Sequence, residues 1–119
     1  MVQSVLIVGG GILGASLAFH LAEAGADVRL LESDRTVGGV ATPNSWAWIN
    51  ASWGNAPDYF RLRHESMKQW HNLDARVPGL VLNWCGGLLW DLPEKDLLAY
   101  AAERNAQGYG VRVIDGAEV

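Results

Sequence analysis

The chain has 119 residues, of which half are hydrophobic and 18% are charged. This composition excludes a disordered chain, and the length favours one domain. The formal net charge of −4 argues against nucleic acid or an anionic membrane surface as the main partner. The single cysteine, Cys85, excludes an intramolecular disulfide and fits a reducing compartment. No apolar run approaches the ~18–20 residues that span a bilayer, so we expect a soluble, cytoplasmic protein without a transmembrane segment.

The N-terminal residues predict a strand–helix–strand unit. Ser4–Val8 is a short apolar run, typical of a parallel strand that is buried on both faces. After a run of glycines, Ile12–Ala24 has apolar residues at helical spacing, and Gly25 stands where a helix often ends. Asp27–Glu32 is predicted to be the second strand. A crossover between two such parallel strands is nearly always right-handed.

The rest of the chain predicts two helices and further strands. Pro57–Asp74 and Glu94–Gln107 have helical periodicity, whereas Leu80–Leu92 indicates one kinked strand or a hairpin. Val111–Ile114 is predicted to be a last strand. The fold class is therefore α/β with an incomplete doubly wound domain, because such a domain needs more than two parallel strands. We expect the chain to be the N-terminal part of a longer protein, whose remainder or a partner subunit completes the fold.

The glycine run carries the main motif, Gly9-Gly10-Gly11-Ile12-Leu13-Gly14, which has the pattern G-x-G-x-x-G between a strand and a helix. Gly9 permits the tight turn, Gly11 lets the backbone approach a pyrophosphate, and Gly14 lets the helix pack close to the strand. The start of the helix offers free N–H groups and a partial positive charge to the phosphates. This pattern predicts a dinucleotide-binding unit.

An acidic residue at the end of the second predicted strand supports this interpretation. Glu32 lies 18 residues beyond Gly14, where a carboxylate can accept hydrogen bonds from both hydroxyls of an adenosine ribose. It would repel a 2′-phosphate, which disfavours NADP. The alternative is that the glycines make only a tight turn and that Glu32 is a solvated acid at a strand end.

The sequence resembles the FAD-dependent oxidoreductases of the D-amino-acid oxidase type, which include glycine oxidase and sarcosine oxidase. The resemblance is carried by Val5–Gly14, Leu30–Glu32, Asp34-Arg35 and Gly38–Thr42. It implies FAD as cofactor in a Rossmann-like fold of the glutathione-reductase type. It also implies that residues 1–76 form an FAD-binding βαβ unit with the following helix, and that residues 77–119 begin a substrate domain.

The second glycine pair distinguishes FAD from NAD in this resemblance. In the family, such a pair follows the ribose acid by about six residues and lies along the pyrophosphate and ribityl chain, although an ordinary flexible loop is the alternative for Gly38-Gly39. Some members bind FAD covalently through a histidine just after this pair, and Thr42–Trp46 contains none, so we predict no covalent link here. The cofactor-binding residues that we predict are Gly9, Gly11, Ile12, Leu13, Gly14, Glu32, Ser33, Arg35, Gly39, Ala41 and Thr42.

The resemblance implies oxidation of an amine or amino acid, a small-molecule substrate, by hydride transfer to the flavin. We predict no metal site, because no cysteine or histidine spacing matches a ligand set. The resemblance identifies no catalytic acid or base. Three alternatives remain: an FAD enzyme acting on a hydroxy acid or polyol phosphate, an NAD-dependent dehydrogenase, and a non-catalytic nucleotide-binding subunit or a fragment. The segment alone is expected to be inactive.

Other polar and aromatic residues have weaker functional signals. Tryptophans near the expected flavin could stack or exclude water, although a hydrophobic plug between two subdomains is favoured: Trp46, Trp48 and Trp53. Polar candidates near the flavin are Asn44, Ser45 and Asn50. A polar stripe on the predicted helix that begins at Pro57 is expected to face solvent: Arg61, His64, Lys68 and His71. His20 is expected to be structural, and Cys85 to be a buried strand residue.

Overall fold

A computed structural model describes residues 2–52 and 54–118. The chain forms two compact units, Met1–Ile49 and Asn50–Val119. The elements are β1 (Ser4–Val8), α1 (Ile12–Glu23), β2 (Asp27–Leu31), α2 (Pro57–Arg76) and α3 (Glu94–Ala106). The first unit holds β1, α1 and β2, and the second holds α2 and α3. The assignment of residues 1–76 and 77–119 to an FAD-binding and a substrate domain stays a prediction.

The first unit is the predicted Rossmann-like βαβ unit. Strands β1 and β2 pair in parallel, with a register that runs from Ser4 opposite Asp27 to Val8 opposite Leu31. Helix α1 packs against both strands, and the alternate strand residues on its side are half-buried. The other face, which includes Leu6, Val8 and Leu31, is exposed. The expectation of strands buried on both faces is therefore wrong for the described residues, because within this unit α1 packs on one face of the sheet.

The ends of α1 and α2 follow from their local sequence. Gly25 follows the Ala24 cap of α1 in a left-handed conformation (φ +86°), which a side chain would disfavour. Its amide donates to the Ala22 carbonyl at 3.0 Å. Pro57 lies in the first turn of α2, as predicted, where its missing N–H costs nothing. Helix α2 continues to Arg76, two residues beyond its predicted end.

The described core of the second unit is centred on one aromatic ring. Phe60 from α2 is 2% exposed, and its ring makes a T-shaped contact with that of Tyr109, with centroids 5.9 Å apart. The guanidinium of Arg104, from α3, lies 4.5 Å from the centre of the Phe60 ring and 5.3 Å from that of Tyr100. The cation–π contact of Arg104 with Phe60 thus joins α3 to α2, and Tyr109 adds an aromatic contact from the chain after α3.

The predicted strands at Leu80–Leu92 and Val111–Ile114 are absent, because neither segment has a partner strand among the described residues. A strand persists only when its backbone groups are paired. Instead, the Asn105 side chain bonds both backbone groups of Val111, donating to its carbonyl at 2.8 Å and accepting from its amide at 2.9 Å. Cys85 is exposed rather than buried, since its segment is not part of a sheet.

The segment after α2 is held by Trp84. Its indole N–H donates to the Asp74 carboxylate at 3.0 Å, and its ring stacks on His71 with centroids 3.7 Å apart. These two α2 residues therefore fix an irregular stretch to the helix surface. Among the described residues, no helix has the length and apolar character needed to cross a bilayer.

Candidate cofactor-binding site

The glycine turn connects the end of β1 to the start of α1. Gly9 has φ +99°, a conformation that favours glycine, and its amide continues the sheet pairing by donating to the Leu31 carbonyl at 2.7 Å. A Cβ on Gly14 would overlap the Gly9 carbonyl oxygen and lie 3.4 Å from Cγ2 of Ile7. The tight turn and close helix packing that we predicted for these two glycines are therefore present.

The next glycine opens a space at the N-terminus of α1. Gly11 has ordinary extended angles (φ −67°, ψ 178°), and a Cβ there would meet no atom within 4 Å. The helix has no side-chain cap and no acidic residue in its first turn. The N–H groups of a first helical turn lack partners within the helix, so those of Ile12, Leu13 and Gly14 face an accessible region with a favourable field for an anion.

Glu32 is held at the end of β2 by protein donors. Its Oε1 accepts from the amides of Ser33 and Asp34 at 2.7 and 3.0 Å and from the Ser33 hydroxyl at 3.1 Å. Its Oε2 accepts from the Gly10 amide at 2.7 Å. The hydrogen bonds from Asp34, Gly10 and Ser33 lower the pKa of Glu32 to about 2, so it is an anion at neutral pH. Because each oxygen has about two acceptor sites, remaining capacity lies mainly on Oε2.

The second glycine segment contacts the first. The Gly38 amide donates to the Gly10 carbonyl at 3.0 Å, and Gly38 has φ +72°. A Cβ on Gly39 would make only ordinary contacts, the nearest being the Thr36 carbonyl at 3.6 Å. The structure therefore brings the glycine turn, Glu32 and Gly38 together. The other predicted binding residues lie on the exposed stretch from residue 33 to residue 42: Ser33, Arg35, Gly39, Ala41 and Thr42.

Sequence reasoning missed two residues of this site. Gly10 occupies the first x of G-x-G-x-x-G, a position where the pattern does not require glycine. It is nevertheless buried. Val37 lies against it, in a stretch with no regular periodicity. No local signal could have paired them, since their proximity depends on how the chain folds back after β2.

The tryptophan and polar candidates lie in irregular chain. Trp46 is 92% exposed and Trp48 is also exposed, whereas Trp53 lies outside the described residues. The Asn44 amide donates to the Val40 carbonyl, so this side chain supports its own turn. Among the described residues, the only left-handed non-glycine is Ala47, between the two exposed tryptophans.

The remaining polar candidates have local partners. The Ser45 hydroxyl accepts from the Ala47 amide at 3.0 Å, and Asn50 accepts from Arg63 at 2.8 Å. His20 is exposed, and its ring is 5.3 Å from that of Phe19 in a T-shaped contact, so its structural role stays a prediction. No group of acidic, histidine or cysteine residues suited to a metal occurs in the part of the chain that the structure describes.

The polar stripe on α2 is only partly a solvent-facing stripe. Arg61 and Lys68 are exposed, as expected. His64 is half-buried, with ring centroids 5.6 Å from Phe60 and 5.5 Å from Tyr109, and the exposed ring of His71 is covered on one side by the tryptophan stack. The solvent-facing interpretation is therefore wrong for His64, because the chain after α3 packs back over it.

A βαβ unit with this glycine turn and this acid defines a dinucleotide-binding protein. The sequence profile of the family described as FAD dependent oxidoreductase matches residues 4–119, and the chain belongs to that family. Its cofactor is FAD, and the residues present fit this cofactor: Gly11 leaves room beside free helix amides, and Glu32 is an anion with acceptor capacity.

One curated relative adds a narrower similarity. Over 40 residues the chain is 55% identical to the carotenoid 3,4-desaturase of Haloarcula japonica, a stretch that covers 34% of this chain and 8% of that protein. The chain thus corresponds to a small part of that relative's length. No solved structure matches the chain.

Proposed function

We propose that the protein is an FAD-dependent oxidoreductase that oxidises an amine or amino acid. The observation that carries this proposal is the open Gly11 position at the uncapped start of α1, in a chain of the FAD-dependent family. When bound, FAD would supply a two-electron acceptor for the hydride on the carbon bearing nitrogen, and water would hydrolyse the resulting imine.

The residues of this chain bind and orient the cofactor. The backbone at Gly11 and the first amides of α1 receive the pyrophosphate, and Oε2 of Glu32 accepts from the ribose. The same carboxylate repels a 2′-phosphate and so selects against an NADP-like ligand. The stretch from Gly39 to Thr42 would contact the ribityl chain. Each of these roles is part of the proposal.

A second candidate is desaturation of a carbon–carbon bond in an apolar substrate, which the similarity to a carotenoid 3,4-desaturase favours. The two candidates share FAD and hydride removal and differ only in the substrate bond. A panel that contains primary and secondary amines, amino acids, hydroxy acids and a carotenoid separates them. Anaerobic loss of the flavin band near ~450 nm reports which compound reduces the bound cofactor.

The cofactor site is tested in the native protein with Gly11→Val. The side chain fills the space that we assign to the pyrophosphate, so we expect loss of bound FAD with little change in stability. Gly116→Val is the matched control, because a Cβ on Gly116 also meets no atom within 4 Å but lies outside the site. Full FAD binding by the Gly11 variant, or reduction by hydroxy acids alone, would contradict the proposal.

A further inference from the structure

Gly10 has no space for a side chain, although the motif leaves its position unrestricted. A Cβ there would lie 2.7 Å from Cγ1 of Val37, 3.2 Å from its Cβ and 3.0 Å from Oε2 of Glu32. Gly10 is not among the glycines with positive φ, so its backbone could accept alanine. The restriction comes only from the residues that lie over it.

Those residues belong to one stretch, Glu32–Gly38, which crosses the glycine turn. The Gly10 amide donates to the Glu32 carboxylate at 2.7 Å, and its carbonyl accepts from the Gly38 amide at 3.0 Å. The amide and the carbonyl of Gly10 are therefore hydrogen-bonded to the two ends of the stretch, Glu32 and Gly38. Val37 fills the gap between them.

We infer that Gly10 is a positioning residue that docks the stretch Glu32–Gly38 onto the glycine turn before FAD binds, and that Val37 makes glycine obligatory there. This inference rests on the proposed FAD site and deepens it. Docking holds the carboxylate and the second glycine pair in fixed relation to the start of α1. A cofactor that contacts both the glycine turn and this stretch binds only those molecules in which the stretch is docked. The apparent affinity for FAD therefore falls in proportion to the docked fraction.

Rotation of Val37 cannot remove the conflict that a Gly10 side chain would create. Its side chain is β-branched and stiff, and its own Cβ, which rotation does not move, would still be 3.2 Å away. Displacing Glu32 instead would break its bond to the Gly10 amide. A methyl group at residue 10 therefore requires Val37 and Glu32 to move away from the turn, which weakens the docking of the stretch.

The test compares Gly10→Ala, Val37→Ala and the double variant in the native protein, with FAD affinity measured by quenching of flavin fluorescence. We expect Gly10→Ala to weaken binding on the order of tenfold, as overpacking does, and Val37→Ala, which removes methyl groups and adds no overlap, to weaken it by a smaller factor. The double variant should recover part of the loss, because Val37→Ala removes the closest contact, at 2.7 Å, and leaves those at 3.0 and 3.2 Å. Wild-type affinity in Gly10→Ala, or no recovery in the double variant, overturns the inference.

Amide hydrogen exchange of the FAD-free protein tests docking without the cofactor. The amides of Gly10 and Gly38 should exchange slowly, and in Gly10→Ala the amide of Gly38 should exchange faster while those of α1 stay unchanged. Equal exchange in both proteins, or a general acceleration that includes α1, overturns the inference. If the wild-type protein binds no FAD, the proposed function fails, and amide exchange alone decides whether the stretch is docked.

Discussion

Replacing Gly14 by alanine should destabilise the first unit even though alanine is the better helix former. An exposed helical Gly→Ala change ordinarily stabilises by about 1 kcal/mol. At Gly14 the new Cβ would overlap the Gly9 carbonyl oxygen and lie 3.1 Å from the carbonyl carbon. Backbone atoms cannot rotate away, so α1 must move off β1. Overpacking of this kind costs about 3 kcal/mol, a large part of the roughly 5–15 kcal/mol that holds a typical domain folded.

Urea unfolding of the native protein, followed by circular dichroism, measures this loss directly. The matched control is Gly11→Ala, where a Cβ meets no atom within 4 Å and the extended backbone suits alanine. Gly11 is the N-cap of α1, so Gly11→Ala should lower the free energy of unfolding by less than about 1 kcal/mol. A Gly14→Ala variant as stable as the control would refute the argument that helix and strand need this glycine to pack.

Three further substitutions test contacts other than the packing of α1 on β1. The pKa of Glu32 is about 2 against an ordinary 4.5, so its contribution to stability is complete above pH 4.5 and is lost as the pH falls towards 2. In Glu32→Gln, the free energy of unfolding, measured with urea, should depend less on pH over that range than in the wild-type protein. An unchanged pH dependence would contradict this. Trp84→Phe should cost about 1 kcal/mol through its lost hydrogen bond, unlike the exposed control Trp90→Phe. Arg104→Ala should cost about 2 kcal/mol through lost packing and cation–π contact, measured by urea unfolding against the exposed control Arg112→Ala.

The sequence was sufficient to predict the βαβ unit because its signals are local. An apolar run, a glycine turn, an Ala- and Leu-rich stretch and Gly25 each determine structure within a few neighbouring residues. The helix boundaries at Ile12 and Pro57 were predicted to the residue, and α1 ends one residue before its predicted end. The same reasoning predicted that Glu32 lies beside the glycine turn, since the carboxyl ends of parallel strands lie at one edge of a sheet.

Predictions that depended on distant partners were wrong. An alternating pattern indicates a strand only if another strand pairs with it, and residues 80–92 have no such partner among the described residues. The burial of Cys85 was inferred from that strand and is wrong for the same reason. His64 was assigned to the solvent-facing side of α2 from helical periodicity, which carries no information about Tyr109 returning to cover it.

The position of Glu32 shows how spacing can identify a residue and still leave its role incomplete. Spacing alone predicts that the carboxylate binds a ribose, and it gives no sign of hydrogen bonds from the protein. In the structure the carboxylate already accepts four hydrogen bonds from protein donors, one of them from Gly10. Replacing it therefore removes a support of the glycine turn together with the proposed ribose contact, and a loss of FAD affinity in a Glu32 variant cannot be assigned to the ribose alone. Gly10→Ala separates the two effects, because it disturbs the support and leaves the carboxylate in the chain.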